Sequence, residues 1–405
     1  MTKLTQPGAR PSPARRPGIV HLALAMGGFA IGTTEFATMG FLPYMARDLG
    51  VDAPTAGHVI SAYALGVVVG APLIAVASAR IARRPLLIGL MLVFALANGL
   101  SALAPGYHLM LLCRFLSGLP HGAYFGIASL VAASVVPADK RTMAVGRVLL
   151  GLTVATILGV PLANVLSQVA SWRWAFGIVS ILALTTAGLI TAFAPNVRAD
   201  ATASPLRELS ALAKPQVWLT LAIGAVGFGG VFAVYTYLAS TLTYVTGAPA
   251  SATPLVLMVF GVGMTLGNLI VPRYADRALM PTAGAALLWS AAALALYPMA
   301  AHHVATAALD LFAVGLGCAL AAVLQTRLMD VAGEAQALAA ALNHSAFNTA
   351  NALGPWLGGM AIAAGYGWTS TGWVGCALAL GGLAVWAMSW RASSPGLRPA
   401  VEPAE

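Results

Sequence analysis

Charge is what this sequence has least of. Only 8% of its 405 residues are Asp, Glu, Lys or Arg, where a soluble globular chain carries about 25%. So little charge cannot dress a water-facing surface, and the mean hydropathy of +0.85 agrees. A soluble domain is excluded, and lipid is the expected solvent for most of the chain. Cysteine is scarce as well. Cys113, Cys318 and Cys376 all fall in apolar stretches, which argues for small buried side chains and against a disulfide framework or a metal site. No G-x-x-x-x-G-K-[ST] phosphate loop occurs, so the chain is not expected to hydrolyse ATP or to be an enzyme.

Long apolar runs take the place of charge. A helix needs about 20 apolar residues to cross a bilayer. Such runs lie at 19–42, 56–79, 86–104, 108–135, 144–168, 174–194, 216–244, 253–272, 282–300, 304–327, 339–364 and 370–390. They do not alternate polar and apolar residues as barrel strands would, so they are read as helices. The expected fold is an all-α integral membrane protein with twelve transmembrane helices. The first run is too long for a signal peptide and lacks a small-residue cleavage site. Residues 1–17 and 391–405, rich in Pro, Arg and Ala, are expected to be disordered.

The basic residues are placed unevenly. If the spans are threaded in order, only Arg47 and Arg173 fall on one side, and Arg114 falls within a span. All other Lys and Arg residues fall on the opposite side. That side is expected to be the cytoplasm, with both termini in it. The net charge of +9 is therefore a topology signal, and it gives no reason to expect nucleic acid as a partner.

Residues 195–215 form the longest polar stretch inside the chain and divide the spans six and six, at 18–194 and 216–390. The second span carries Gly66 and Gly70; the eighth carries Gly263 and Gly267, 197 residues later. The same offset maps Gly118 of the fourth span onto Gly315 of the tenth. Glycines four apart let helices approach closely, so packing alone could account for each pair. The shared offset favours a duplication, and duplicated halves around a midplane site describe a secondary transporter.

Four stretches then carry a resemblance. They are "IGTTEFATMGFLPYMARDLGV" in the first span, "ARIARRP" at 79–85, "RFLSGLPHGAYFG" at 114–126 and "LGVPLANVLSQVASWRWAF" at 158–176. The sequence resembles the drug:proton antiporter branch of the major facilitator superfamily, in particular its arabinose-efflux-like and purine-nucleoside-efflux-like members, over about residues 18 to 390. The resemblance implies two pseudo-symmetric six-helix bundles in a bacterial cytoplasmic (inner) membrane. It implies alternating access and a monomer. It implies no cofactor beyond the proton gradient. Gating roles are implied for Arg80, Arg83 and Arg84, for Asp276 and Arg277 in the second copy of that loop, and for Gly159 and Pro161. The first loop departs from the pattern: Ala79 and Ala82 stand where the superfamily has Asp and Gly, and Val160 separates Gly159 from Pro161.

The polar residues inside the spans are the candidate site. A carboxylate at a helix centre costs about 2.5–3.5 kcal/mol to insert, so Glu35 should face an aqueous cavity or a partner. Gly28, Gly32 and Thr38 share its stripe by 3–4 spacing, which should point inward. Arg114 lies seven residues from the outer end of its span, as Glu35 does, so the two should sit at similar depth. They are expected to meet directly or through water, either as a proton-coupling pair or as a permanent tie between helices. His121 could shuttle protons or cap backbone loosened by Pro120. Asp310 could be a second proton site or reach the headgroups. His344, Asn348 and Asn351 form a polar stripe that could be interhelical glue or line the substrate cavity, the latter preferred. Phe228, Phe232 and Tyr235 form an aromatic stripe that could be packing, and the resemblance implies that it lines the cavity. The tryptophans of "SWRWAF" are read as interface anchors. The expected function is proton-coupled efflux of small organic molecules, a drug or a sugar- or nucleoside-like metabolite. A facilitator or importer of the same fold is the alternative, and a membrane sensor without transport is a third reading. The expected partners are the substrate, protons and membrane lipid.

Overall fold

The computed structural model describes residues 17–78, 81–137, 141–196, 210–333 and 336–393. Every regular element among them is a helix. The first three spans are Pro17–Gly40, Ala53–Ala77 and Arg83–Leu103, with a short helix, Leu42–Leu49, after the first. The fourth is broken into Tyr107–Gly118 and His121–Ser134, because Pro120 offers no N–H to continue the ladder. The fifth runs as Arg141–Val154 and Val160–Val169, joined by a π-turn at Ala155–Gly159 just ahead of Pro161. The sixth is Trp172–Phe193. The seventh comprises Pro215–Gly227 and Gly229–Tyr244; the eighth and ninth are Ala252–Ala275 and Leu279–Ala300. The tenth is broken into Val304–Gly317 and Leu320–Ala332, and the last two are Gln336–Ala361 and Ser370–Ser393. Eleven helices among the described residues are long and apolar enough to cross a bilayer. The eleventh span, Gln336–Ala361, is not among them, and it carries the polar stripe of His344, Asn348 and Asn351.

The helices pack in two matching sets. In the first six spans the first packs on the fifth, the second on the fourth and the third on the sixth. In the last six the seventh packs on the eleventh, the eighth on the tenth and the ninth on the twelfth. The glycine offset seen in the sequence is matched atom for atom. A Cβ added to Gly66 would sit 2.1 Å from the Phe115 carbonyl oxygen, and one on Gly263 would sit 2.3 Å from that of Phe312. Gly70 meets the Leu119 carbonyl as Gly267 meets that of Leu316. Gly118 meets the Tyr63 carbonyl as Gly315 meets that of Phe260. Each pair of contacts is 197 residues apart on both sides, so these glycines hold equivalent helix pairs at backbone contact.

The contact between the halves repeats the symmetry. The second span packs on the eleventh and the fifth on the eighth, while the first meets the seventh at the centre. Ser61 Oγ donates to the Ala352 carbonyl at 3.0 Å, and Gln168 Nε2 to that of Ala250 at 2.9 Å.

Candidate functional site

The site is built where the first, second, fourth and eleventh spans converge. Glu35 is buried in the first span. Asn351 of the eleventh span donates from Nδ2 to its Oε1 at 3.3 Å, a hydrogen bond that crosses between the halves. Arg114 is fully buried. Its guanidinium lies 4.3 Å from the ring centre of Tyr63 and 5.2 Å from that of Phe176. Nη1 donates to Thr34 Oγ1 at 3.0 Å, and the Thr34 hydroxyl in turn donates a hydrogen bond to Asn98 Oδ1 at 2.8 Å. Arg114 and Glu35 act on each other electrostatically. They form no ion pair within 4.0 Å; among the described residues that distinction belongs to Arg173 and Asp48. Of the two expected arrangements, directly or through water, the direct ion pair is not formed. Arg114 takes the residue beside Glu35, and Glu35 takes an amide from the other half.

The stripe through Glu35 is also reassigned. A Cβ on Gly28 would lie 3.0 Å from the Val148 carbonyl, and one on Gly32 would lie 2.7 Å from Leu152. Both glycines thus serve close packing on the fifth span instead of facing an open cavity. Thr38 is fully buried and donates to the Thr34 carbonyl at 2.7 Å.

About two turns along the fourth and eleventh spans, a second polar cluster lies on the interface. His121 Nδ1 lies 2.9 Å from the Tyr63 hydroxyl. Its ring is 5.9 Å from that of His344, which stacks on Phe125 at 5.4 Å. Asn348 donates to the His344 carbonyl at 3.0 Å, and the side-chain oxygens of Asn348 and Asn351 are buried without a partner. The aromatic stripe of the seventh span lies on the same interface. Phe36 stacks on Phe232 at 6.2 Å and meets Tyr235 edge-on at 5.9 Å, while Phe228 packs on Phe347 at 4.7 Å. The Tyr235 hydroxyl is likewise buried and unpartnered.

The remaining candidates lie elsewhere. Asp310 is buried in the tenth span, with Oδ2 unpartnered. Gly159 sits in the π-turn, where a Cβ would come within 2.2 Å of Thr33 Oγ1; Pro161 opens the helix that follows. Arg84 donates to the Thr191 carbonyl. Arg83 is partly buried, and Asp276 and Arg277 are exposed at the end of the eighth span. Arg80 lies outside the described residues. Trp174 is exposed as an interface anchor should be, but Trp172 is buried and donates to Asp48 at 3.2 Å. Arg173 binds the same carboxylate, stacks over Trp172 and donates to the Ala104 carbonyl at 3.0 Å. Asp48, Thr34, Asn98 and Tyr63 were not singled out by the sequence.

Twelve helices, a doubled helix-pair pattern and a polar centre between the halves are the architecture of a known transporter class. The sequence profile of the Major Facilitator Superfamily matches residues 24–299. The chain belongs to the major facilitator superfamily. As a member of that superfamily it is a transporter of small molecules and not an enzyme. It is 42% identical over 356 residues to the inner membrane transport protein YdhP of Escherichia coli K12, covering 86% of this chain and 90% of that one. It is 35% identical to the putative transporter AraJ of the same organism, over 85% and 88% of the two chains. It is also 35% identical to a chloramphenicol resistance protein of Streptomyces lividans, over 82% and 86%. The superfamily fold is seen in a bacterial homologue of the human lysosomal transporter Spinster, solved inward-facing, with a TM-score of 0.71 at 16% identity over 95% and 98% of the chains. The nucleoside transporter NupG superposes with the same score at 13% identity, over 93% and 100%.

Proposed function

We propose that this chain exports small organic molecules in exchange for protons, with Glu35 as the coupling group. The observation that carries the reading is the Glu35–Asn351 hydrogen bond. A carboxyl group is the titratable partner in a contact between the two halves, so its state bears on the interface that alternating access must open and close. Arg114, which donates to the neighbouring Thr34, supplies a fixed positive charge nearby. The substrate would meet the polar side chains of Asn348 and His344 and the aromatic wall of Phe228, Phe232 and Tyr235. Two relatives named for efflux or resistance support an outward direction: the chloramphenicol resistance protein, and a probable sugar efflux transporter of Haemophilus influenzae at 27% identity. The end of the molecule that bears Arg83, Arg84, Arg277 and Arg391 is then the cytoplasmic one, and residues 18–194 and 216–390 are the two moving bodies.

The test uses inside-out vesicles with an imposed proton gradient and a panel of candidate drugs and sugars. Wild type should release protons in step with substrate uptake. Glu35→Gln should lose gradient-driven transport while retaining its fold and membrane insertion. Uphill transport at the normal rate by the Gln variant would remove Glu35 from the coupling role. Substrate flux without proton movement in wild type would establish a facilitator.

A further inference from the structure

Apart from the Glu35 site, the first, fourth and fifth spans leave a cavity of about 270 Å³ at the basic end of the first half. Pro17 and His21 line it from the first span, Val135 and Pro137 from the end of the fourth, and Ala144 and Arg147 from the fifth. Arg147 is exposed, and its Nη1 donates to His21 Nδ1 at 3.3 Å. No carboxylate pairs with it among the described residues. A guanidinium carries five N–H donors in a planar fork, so most of this fork has no protein partner.

The wall behind the arginine is held in place by hydrogen bonds. His21 is 3% exposed, and its Nε2 lies 3.2 Å from the Ala132 carbonyl oxygen. With Nδ1 accepting from Arg147, Nε2 carries the ring proton and donates to that carbonyl. Ser134 Oγ donates to the neighbouring Val131 carbonyl at 2.7 Å. Two of the carbonyls at the end of the fourth span, where an anion would be repelled, are thus each occupied by a donor. Among the described residues the guanidinium meets no carboxylate in the cavity wall.

Such a fork matches phosphate oxygens in pairs. The volume falls just below the range of about 300–1,000 Å³ typical of drug-sized ligands, which suits a single headgroup. The cavity lies beside the starts of the first and fifth spans, where a bilayer around these spans would bring its headgroups. We infer that it binds an anionic phosphate ester through Arg147, supplied either by a phospholipid headgroup or from solution. The bound phosphate would clip the ends of the first, fourth and fifth spans to one another.

The full-length protein, purified in a lipid-free detergent, tests this with two probes, phosphatidylglycerol and free glycerol 3-phosphate. Binding is read by native mass spectrometry and by thermal shift. Arg147→Gln should weaken binding of the responsible probe at least tenfold, and Arg147→Lys less. Arg391→Gln, a basic-end arginine remote from the cavity, should match wild type. Arg147-dependent binding of phosphatidylglycerol alone assigns a lipid site; Arg147-dependent binding of glycerol 3-phosphate assigns a soluble phosphate. Equal binding of both probes by wild type and Arg147→Gln overturns the inference.

Discussion

Arg114 is a cation enclosed almost entirely by neutral groups: two aromatic rings, a threonine and the helix backbone. Its removal costs a cation–π contact and charge-assisted hydrogen bonds, together at least about 2 kcal/mol. Arg114→Ala should therefore lower thermal stability in detergent more than Arg114→Lys, whose ammonium keeps the charge but lacks the fork that reaches Thr34. Combining Arg114→Ala with Glu35→Gln should recover part of the loss, because no lone buried charge remains; no recovery would mean the two charges are not coupled. A second residue prediction concerns Asp52, which accepts the Thr55 amide at 2.8 Å and so caps the second span. Bonds from Thr55 hold this carboxyl below its ordinary range. A depressed value means the cap contributes above the unfolded-state pKa and is lost as pH falls through the folded one. Asp52→Ala should cost about 0.5–1 kcal/mol near neutral pH, and the difference from wild type should vanish in acid melts. At this scale the sequence made the charges easy to find, since a charge in an apolar run stands out. Placing Glu35 and Arg114 at one depth was nearly enough, for Arg114 binds the residue next to Glu35. Thr34 and Tyr63 were invisible because Thr and Tyr are ordinary in membrane helices. Trp172 was misread because a carboxylate 124 positions earlier in the chain claims it.

The glycines decide how closely the elements approach. Gly66→Ala and Gly263→Ala each push a methyl group into a carbonyl of the partner helix, at 2.1 and 2.3 Å. Backbone cannot yield as a side chain would, so each should destabilise by about 1–3 kcal/mol. The two effects should be similar if the halves are equivalent. Gly89→Ala, with nothing within 4 Å of the added carbon, is the control and should melt like wild type. The helix-pair pattern was legible as a 197-residue offset because close packing admits only one residue type. The helix breaks were legible only in part. Pro120 and Pro161 announce theirs, whereas the break at Cys318 and Ala319 contains no proline, and propensity alone does not reveal it. The eleventh span was legible as a helix, and its lower hydropathy, which follows from the polar stripe, marks the side that meets the other half.

On the proposed topology, the loop after the second span faces the cytoplasm. A cysteine at position 82, introduced by Ala82→Cys, should react with membrane-impermeant thiol reagents only in inside-out vesicles. Labelling in right-side-out cells would reverse the orientation. The six-and-six division was legible because a long polar stretch interrupts the apolar runs, but the pairing across the halves was not, since no periodicity encodes it. That pairing has a chemical consequence of its own. The amide of Asn351 offers Glu35 a donor, while its oxygen is left without a partner. An amide both gives and accepts hydrogen bonds. Rotated half a turn, the same side chain could receive a hydrogen bond from a carboxylic acid as readily as it now gives one to a carboxylate. The contact is ambidextrous: protonation of Glu35 would reverse its polarity, so the state of position 35 sets which face of the amide one half presents to the other.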